Sequence, residues 1–155
     1  MSDSAPFPPA DLSAFLQLCA GEWLALRSRL ALELEAANHD DDAWHQSERV
    51  ELRVEHRPAA DGHLGGLTLT PPGGAARALL FHADGRFAGD AGEGRWQLWP
   101  DGSLELVAQA DGVERRERIW FTKPNLRLRS SVETRADGLP GRASFSSEIR
   151  RVQRP

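Results

Sequence analysis

A chain of 155 residues is long enough to form one domain with its own hydrophobic core, so it needs neither disulfides nor a structural metal. Its single cysteine, Cys19, excludes an intrachain disulfide, and the lack of any Cys/His cluster at zinc spacing predicts no metal site. With a net charge of −4, no basic block and no apolar run near ~20 residues, we expect neither nucleic-acid binding nor a membrane span. These properties predict a cytoplasmic protein.

All basic residues except Lys123 are arginine. A GC-rich genome would produce the same bias, but arginine is also the better bidentate partner of a carboxylate. The composition is therefore compatible with an acidic ligand without requiring one.

The N-terminal part predicts an unstructured lead followed by one short helix. Residues 1–10 are rich in proline and are expected to form a disordered lead into a single domain over residues 11–155. Asp11 can cap a helix and Gly21 can end it. The apolar residues between them recur at helical spacing and are Leu12, Phe15, Leu16 and Cys19. The sequence therefore predicts an amphipathic helix over residues 11–20.

The segment over residues 22–35 has a helix-favouring composition but an alternating pattern. Leucine recurs at even-numbered positions from Leu24 to Leu34, while the odd-numbered positions carry other residues. A helix would spread these leucines around its whole circumference, so the period of two predicts a long strand instead. Residues 36–43, with the run Asp40–Asp42, predict an acidic loop.

The rest of the chain predicts a meander of short strands. Turn residues, several of them Asp-Gly pairs of the hairpin type, separate the alternating or apolar runs. The predicted strands are 46–57, 66–70, 77–82, 86–88, 94–99, 103–109, 112–121, 125–134 and 142–151. About ten strands with hardly any helix are typical of an up-and-down barrel or a sandwich, and a barrel of roughly eight to ten strands holds one small ligand.

A hairpin around Pro124-Asn125 carries the most distinctive pattern. Leu126 and Leu128 point to one side of the strand that follows the turn, and Arg127 and Arg129 point to the other. Two arginines on one strand face can bind two carboxylates. They can equally form the solvated face of a strand whose leucines fill the core, and the pattern alone leaves both orientations open.

The same region resembles a known family. The motifs are Glu-Arg-Ile-Trp-Phe from Glu117, Asn-Leu-Arg-Leu-Arg-Ser-Ser-Val from Asn125, and Ala-Ser-Phe-Ser-Ser-Glu-Ile-Arg from Ala143. They are similar to those of the S/U-type phycobiliprotein bilin lyases of cyanobacteria and some algae. The resemblance implies an all-β, lipocalin-like antiparallel up-and-down barrel. It also implies that the chain binds a phycobilin, a linear tetrapyrrole, and assists its thioether attachment to a cysteine of a phycobiliprotein subunit.

The resemblance also implies site residues on the C-terminal strands. Arg127 and Arg129 would turn towards the propionates of the bilin. Glu117 and Glu148 are the candidate catalytic carboxylates, because an inward carboxylate can bind pyrrole N–H groups and stabilise a protonated bilin. For each glutamate the alternative is a cross-strand ion pair with a neighbouring arginine.

Three further residues are candidate bilin-binding positions. Trp23 and Arg27 match the family's first strand, where the tryptophan is expected to close the bottom of the barrel. Trp120 can stack on a conjugated ligand or fill core. Leu69 stands where many members carry a tryptophan, so the resemblance leaves open whether the chain acts alone or as one subunit of a heteromeric lyase.

The expected ligands and partners follow from the same resemblance. The bilin is a substrate, and no permanently bound cofactor or metal is expected. The partners are an apo-phycobiliprotein α or β subunit and a second lyase subunit, in a homodimer or in a heterodimer with a homologue. Cys19 would not be the attachment site, because the acceptor thiol belongs to the client. The alternatives are a non-catalytic bilin carrier and a lipocalin-like carrier of another amphipathic acid.

Overall fold

The computed structural model describes residues 6–31, 45–90 and 92–152, which form one helix and ten strands. The helix α1 is Leu12–Leu18, and the strands are β1 Gly21–Ala31, β2 His45–Arg57, β3 Gly65–Thr70, β4 Arg77–Phe81, β5 Arg86–Gly89, β6 Gly92–Leu98, β7 Leu104–Ala110, β8 Val113–Lys123, β9 Leu126–Thr134 and β10 Pro140–Arg150. Each strand pairs antiparallel with the next one in the chain, and β1 pairs with β10, so the sheet closes into a barrel.

The structure confirms the predicted fold class. Every predicted strand is present, and Pro124 and Asn125 form the predicted turn between β8 and β9. The end of the strand predicted over 22–35 and the acidic loop predicted over 36–43 lie outside the described residues. The disordered lead over 1–10 stays a prediction: residues 1–5 lie outside the described part, and Pro9 is buried.

The helix α1 closes one end of the barrel. Asp11 caps it as predicted, because the Ala14 backbone N–H donates to Asp11 Oδ1 at 2.8 Å. The helix ends earlier than predicted, at Leu18 with Cys19 as its C-cap, and Gly21 is the first residue of β1. Phe15 is fully buried and its ring lies 5.2 Å from that of Phe121 on β8, in an edge-to-face arrangement that aromatic pairs favour. Within the described residues, no helix is long and apolar enough to cross a membrane.

The adjacent strands β9, β10 and β1 carry charge inside the barrel and apolar side chains outside. Arg127 and Glu148 lie directly opposite each other on β9 and β10, and both are buried. The outer positions carry Leu26, Phe145 and Ile149, which are 53%, 50% and 51% exposed. The arginines of β9 therefore point inwards and its leucines outwards, which decides between the two orientations that the sequence left open.

Candidate functional site: a two-sided cavity

A cavity of about 840 Å³ occupies the barrel and opens at the end opposite α1. Strands β2 to β7 form an apolar wall, and its main side chains are Val50, Leu52, Leu69, Leu79, Phe87 and Leu106. Strands β8, β9, β10 and β1 form a wall dominated by charged and hydroxyl side chains. The cavity can therefore accommodate a molecule with an apolar surface and a polar edge.

The charges that line the cavity are predominantly positive. The arginines are Arg27, Arg29, Arg77, Arg115, Arg129 and Arg142, and the carboxylates are Glu117, Glu133 and Glu148. Glu48 of β2 lies directly opposite Arg27 and pairs with Arg27 and Arg29, so six cations face four anions, an excess of two positive charges in a chain whose net charge is −4. Because charges in a recess of low dielectric are weakly screened, this cavity favours an anionic ligand.

A buried ion pair lies at the closed end of the cavity, at the base of the charged wall. Arg127 Nε donates to Glu148 Oε1 at 2.5 Å, and Ser146 Oγ donates to Glu148 Oε2 at 3.1 Å. Burial would raise the pKa of Glu148, but the attraction of Arg129 and Arg127 outweighs it and the pKa is lowered. Glu148 is therefore a carboxylate at neutral pH, as a buried charge with a close partner can be.

Arg129 lies above this pair and faces the cavity. Its Nη1 donates a hydrogen bond to Glu117 Oε1, and its Nε lies 3.3 Å from Glu148 Oε2. This second contact is an ion pair without hydrogen-bond geometry, so the buried Nε–H has no acceptor among the described residues. Burial lowers the pKa of Arg129, but the two glutamates raise it by more than burial lowers it, so the guanidinium stays charged. Arg129 thus joins Glu117 and Glu148 into one charged cluster.

Trp23 seals the floor beneath this cluster. It is 2% exposed, and its Nε1 donates to the Cys19 carbonyl oxygen at 2.9 Å. The guanidinium of Arg127 lies 4.2 Å from the centroid of its ring, and that of Arg150 lies 4.6 Å away. Arg150 Nη1 also donates to the carbonyl oxygens of Leu18 and Ala20, both at 2.5 Å, and so joins the end of the helix to the barrel.

The structure brings together most of the residues that the sequence singled out. Glu117, Glu148 and Arg129 line the cavity, and Arg127 and Trp23 lie beneath it. Arg27 lines the wall nearer the mouth, with its Nη1 3.7 Å from Glu48.

Trp120 is the candidate that points away from the interior of the barrel. The alternate positions Ile119 and Phe121 are buried inside the barrel, so Trp120 lies on the outer face. There its ring centroid is 5.3 Å from the guanidinium carbon of Arg118.

Sequence reasoning missed the charged residues near the mouth, which are Arg29, Arg77, Arg115, Glu133 and Arg142. For Arg115 the signal was present, because it lies two positions from Glu117 and therefore shares its strand face. For Arg77 no such signal existed. The consecutive apolar residues of β4 show no alternation that would assign a face.

These features define a class of protein: a lipocalin-like barrel with one end closed by a helix and a charged ligand cavity at the other. Residues 83–151 match the family described as CpeS-like protein. The chain is 43% identical over 148 residues to Chromophore lyase CpcS/CpeS 1 of Paulinella chromatophora, which covers 94% of this chain and 91% of that protein. The chain therefore belongs to the CpcS/CpeS chromophore lyase family.

Two further comparisons agree with this assignment. Chromophore lyase CpcS/CpeS 2 of Synechococcus sp. (strain JA-3-3Ab) is 28% identical and is aligned over 89% of each chain. The solved structure of the S-type phycobiliprotein lyase CPES from Guillardia theta superposes with a TM-score of 0.62 and covers 90% of this chain and 92% of that one. At 21% identity, that likeness confirms the fold.

Proposed function

We propose that residues 11–155 form a single bilin-binding domain and that the protein is a cytoplasmic phycobiliprotein chromophore lyase. It binds a phycobilin and assists its thioether attachment to a cysteine of a phycobiliprotein subunit. The observation that carries this proposal is the two-sided cavity, with an apolar wall facing six arginines and three carboxylates. Membership of the chromophore lyase family supports the same function.

The chemistry of a linear tetrapyrrole matches both walls. Its conjugated rings are flat and apolar, which suits the wall of β2 to β7. Its two propionates are anionic, which suits the arginines, and its pyrrole N–H groups are donors for carboxylates. Arg129 is the favoured propionate contact of β9, because its buried Nε–H lacks an acceptor within the described structure. Arg127 supports the site from below through Glu148.

The attachment is a redox-neutral addition. The client's thiolate sulfur attacks the ethylidene carbon on ring A, the new C–S bond forms as the π electrons shift into the ring, and a proton is taken up there. A barrel can accelerate this step by orienting ring A and by stabilising a protonated, more electrophilic ring system. We assign the second task to Glu117 and Glu148, the lining carboxylates nearest the floor.

A non-catalytic bilin carrier is the second candidate. Leu69 favours it, because this cavity-lining position holds leucine where many family members carry tryptophan. The two candidates differ in what happens to the bilin after binding. A carrier hands it to a partner subunit, whereas a lyase, alone or as one subunit of a heteromeric enzyme, forms the thioether on the client.

The test is transfer of phycocyanobilin from the purified protein to an apo-phycobiliprotein, with and without a homologous lyase subunit. We expect a faster and more specific covalent adduct than bilin and client give alone, read by zinc-induced fluorescence on a denaturing gel. Transfer by the protein alone would identify a lyase, whereas a dependence on the homologous subunit fits a carrier or one subunit of a heteromeric lyase. An adduct that forms at the uncatalysed rate under both conditions would contradict both functions.

We further propose that the protein pairs with a second lyase subunit, identical or homologous, through the outer face of β1 and β10. The half-exposed side chains of Leu26, Phe145 and Ile149 support this surface, because apolar groups clustered on adjacent strands favour association. Light scattering should give a smaller mass for Phe145→Ser than for the wild type, with bilin binding unchanged. A mass of one chain for the wild type, alone and with the homologue, would contradict the pairing.

A further inference from the structure

We infer that Arg77 is a specificity-determining residue that pairs with a carboxylate of the ligand at the mouth of the cavity. The inference rests on the proposed function and extends it to a residue outside the family motifs. Phe81 is fully buried inside the barrel, and Leu79 and Arg77 follow at alternate positions and line the cavity. Arg77 therefore lies at the mouth end of an apolar row.

Arg77 differs from the other lining arginines because they interact with other groups of the protein. Arg129 is bound to Glu117, and Arg115 lies 3.8 Å from the same carboxylate. Arg27 Nη1 and Arg29 Nε lie 3.7 Å and 2.7 Å from Glu48 Oε1, and Arg142 has interactions of its own. Arg77 has no ion pair or side-chain hydrogen bond with any described residue. Its positive charge is therefore available to a ligand without breaking an existing pair.

The surroundings of Arg77 favour an acid over a neutral group. The three lining carboxylates lie on β8, β9 and β10. On the wall that carries Arg77, Glu48 pairs with Arg27 and Arg29, and Asp90 Oδ2 accepts from the Ala78 backbone N–H, so no described carboxylate pairs with Arg77. Gly89 lies opposite Leu79 on β5 and lines the cavity without a side chain, and an added Cβ there would lie 3.1 Å from Leu79 Cδ1. The face of Leu79 is therefore open to a flat ligand that extends a carboxylate to Arg77.

A bilin would therefore bind with its two propionates on opposite walls of the cavity. Arg77 holds one from the apolar wall, and the cluster around Arg129 holds the other. Two anchors on opposite sides fix the rotation of the tetrapyrrole about its long axis, whereas a single anchor leaves that rotation free. Arg77 thus orients the ligand by binding its carboxylate directly.

The test compares phycocyanobilin with its dimethyl ester, in which both carboxylates are capped, by absorbance titration of four proteins. These are the wild type, Arg77→Gln, Arg77→Lys and the matched control Arg49→Gln, whose exposed arginine lies on the outer face of β2. We expect Arg77→Gln to bind the diacid about tenfold or more weakly than the wild type and the ester equally well. Arg77→Lys should recover part of the diacid affinity, and Arg49→Gln should match the wild type.

Each other result is decisive. If Arg77→Gln binds both compounds as the wild type does, the inference is overturned while the proposed function stands. If Arg77→Gln weakens both compounds equally, Arg77 contributes packing and the inference is also overturned. A wild type that binds neither compound overturns the proposed function together with the inference.

Discussion

Arg127 on β9 and Glu148 on β10 form a hydrogen-bonded ion pair of 2.5 Å, and their side chains are only 2% and 4% exposed. Such a pair is costly to create, because both charges leave water, but it is more costly to break, because one charge then stays buried alone. The pair therefore determines how this barrel responds to mutation and to acid.

Removing Arg127 alone should destabilise the fold. We expect Arg127→Met to lower the free energy of unfolding by about 3 kcal/mol, the lower end for a broken buried pair, because Arg129 still lies near Glu148. The double variant Arg127→Met with Glu148→Met should lose less than the sum of the single changes. Urea unfolding measures all three.

The matched control for this prediction is Arg116→Met. This arginine also pairs with carboxylates, Glu105 and Glu114, but it is 52% exposed. Its loss should cost at most about 1 kcal/mol. Equal effects at Arg116 and Arg127 would mean that burial does not determine the strength of the Arg127 pair.

Acid should unfold the protein partly through Glu148. Its pKa is lowered in the folded state from an ordinary value of 4.5, so at pH values between the two pKa values the unfolded chain binds more protons. The stability that the pair contributes is present above pH 4.5 and is lost as the pH falls through the folded pKa. The free energy of unfolding should fall less steeply with acid in Glu148→Gln than in the wild type.

The difference between the two proteins in how steeply the free energy of unfolding falls with pH is due to Glu148 alone. Asp84, Asp101 and Asp137 also have lowered pKa values through surface hydrogen bonds, and they are unchanged in the variant. Urea unfolding at intervals between pH 7 and pH 3 provides the measurement. Parallel curves for the two proteins would show that Glu148 does not contribute to acid sensitivity.

Glu117→Gln should separate binding from transfer. A carboxylate can neutralise a protonated bilin, whereas the isosteric amide keeps the shape and hydrogen-bonding capacity but not the charge. We expect retained binding, a blue-shifted bound spectrum and slower transfer to the client. The control is Glu133→Gln, which changes the cavity charge equally but nearer the mouth. If Glu117→Gln reproduces the wild-type spectrum and rate, Glu148 is the remaining candidate.

Cys19 should not carry bilin. It is 1% exposed below the floor, and burial raises the pKa of its thiol, which suppresses the reactive thiolate. We expect no reaction with a thiol reagent in the native protein and full reaction in urea. Cys19→Ala should transfer bilin to the client at the wild-type rate, and a covalent bilin on the wild-type chain itself would contradict this.

The alternating residues of β1 and β9 were sufficient to predict strands, and the meander of strands and turns predicted a barrel or a sandwich; the family resemblance implied the barrel. The alternating residues were not sufficient to predict which face lies inside, because Leu126 and Leu128 fit a dry core as well as Arg127 and Arg129 fit a charged one. That decision depends on Glu148, which lies on another strand. The role of Arg150 was equally hidden, since it contacts Leu18 and Ala20 at the other end of the chain. Local patterns report on strands, whereas the polarity of the interior depends on pairs distant in sequence.

The pairing of Arg127 with Glu148 also fixes the register between β9 and β10. A shift of β9 by a single residue would exchange every inner and outer side chain, and a barrel filled with its leucines would compete with the native one. In that competitor Glu148 would lose its direct cross-strand partner. The ion pair is costly to bury, but it therefore favours the barrel with a cavity over a barrel whose interior is filled with leucine.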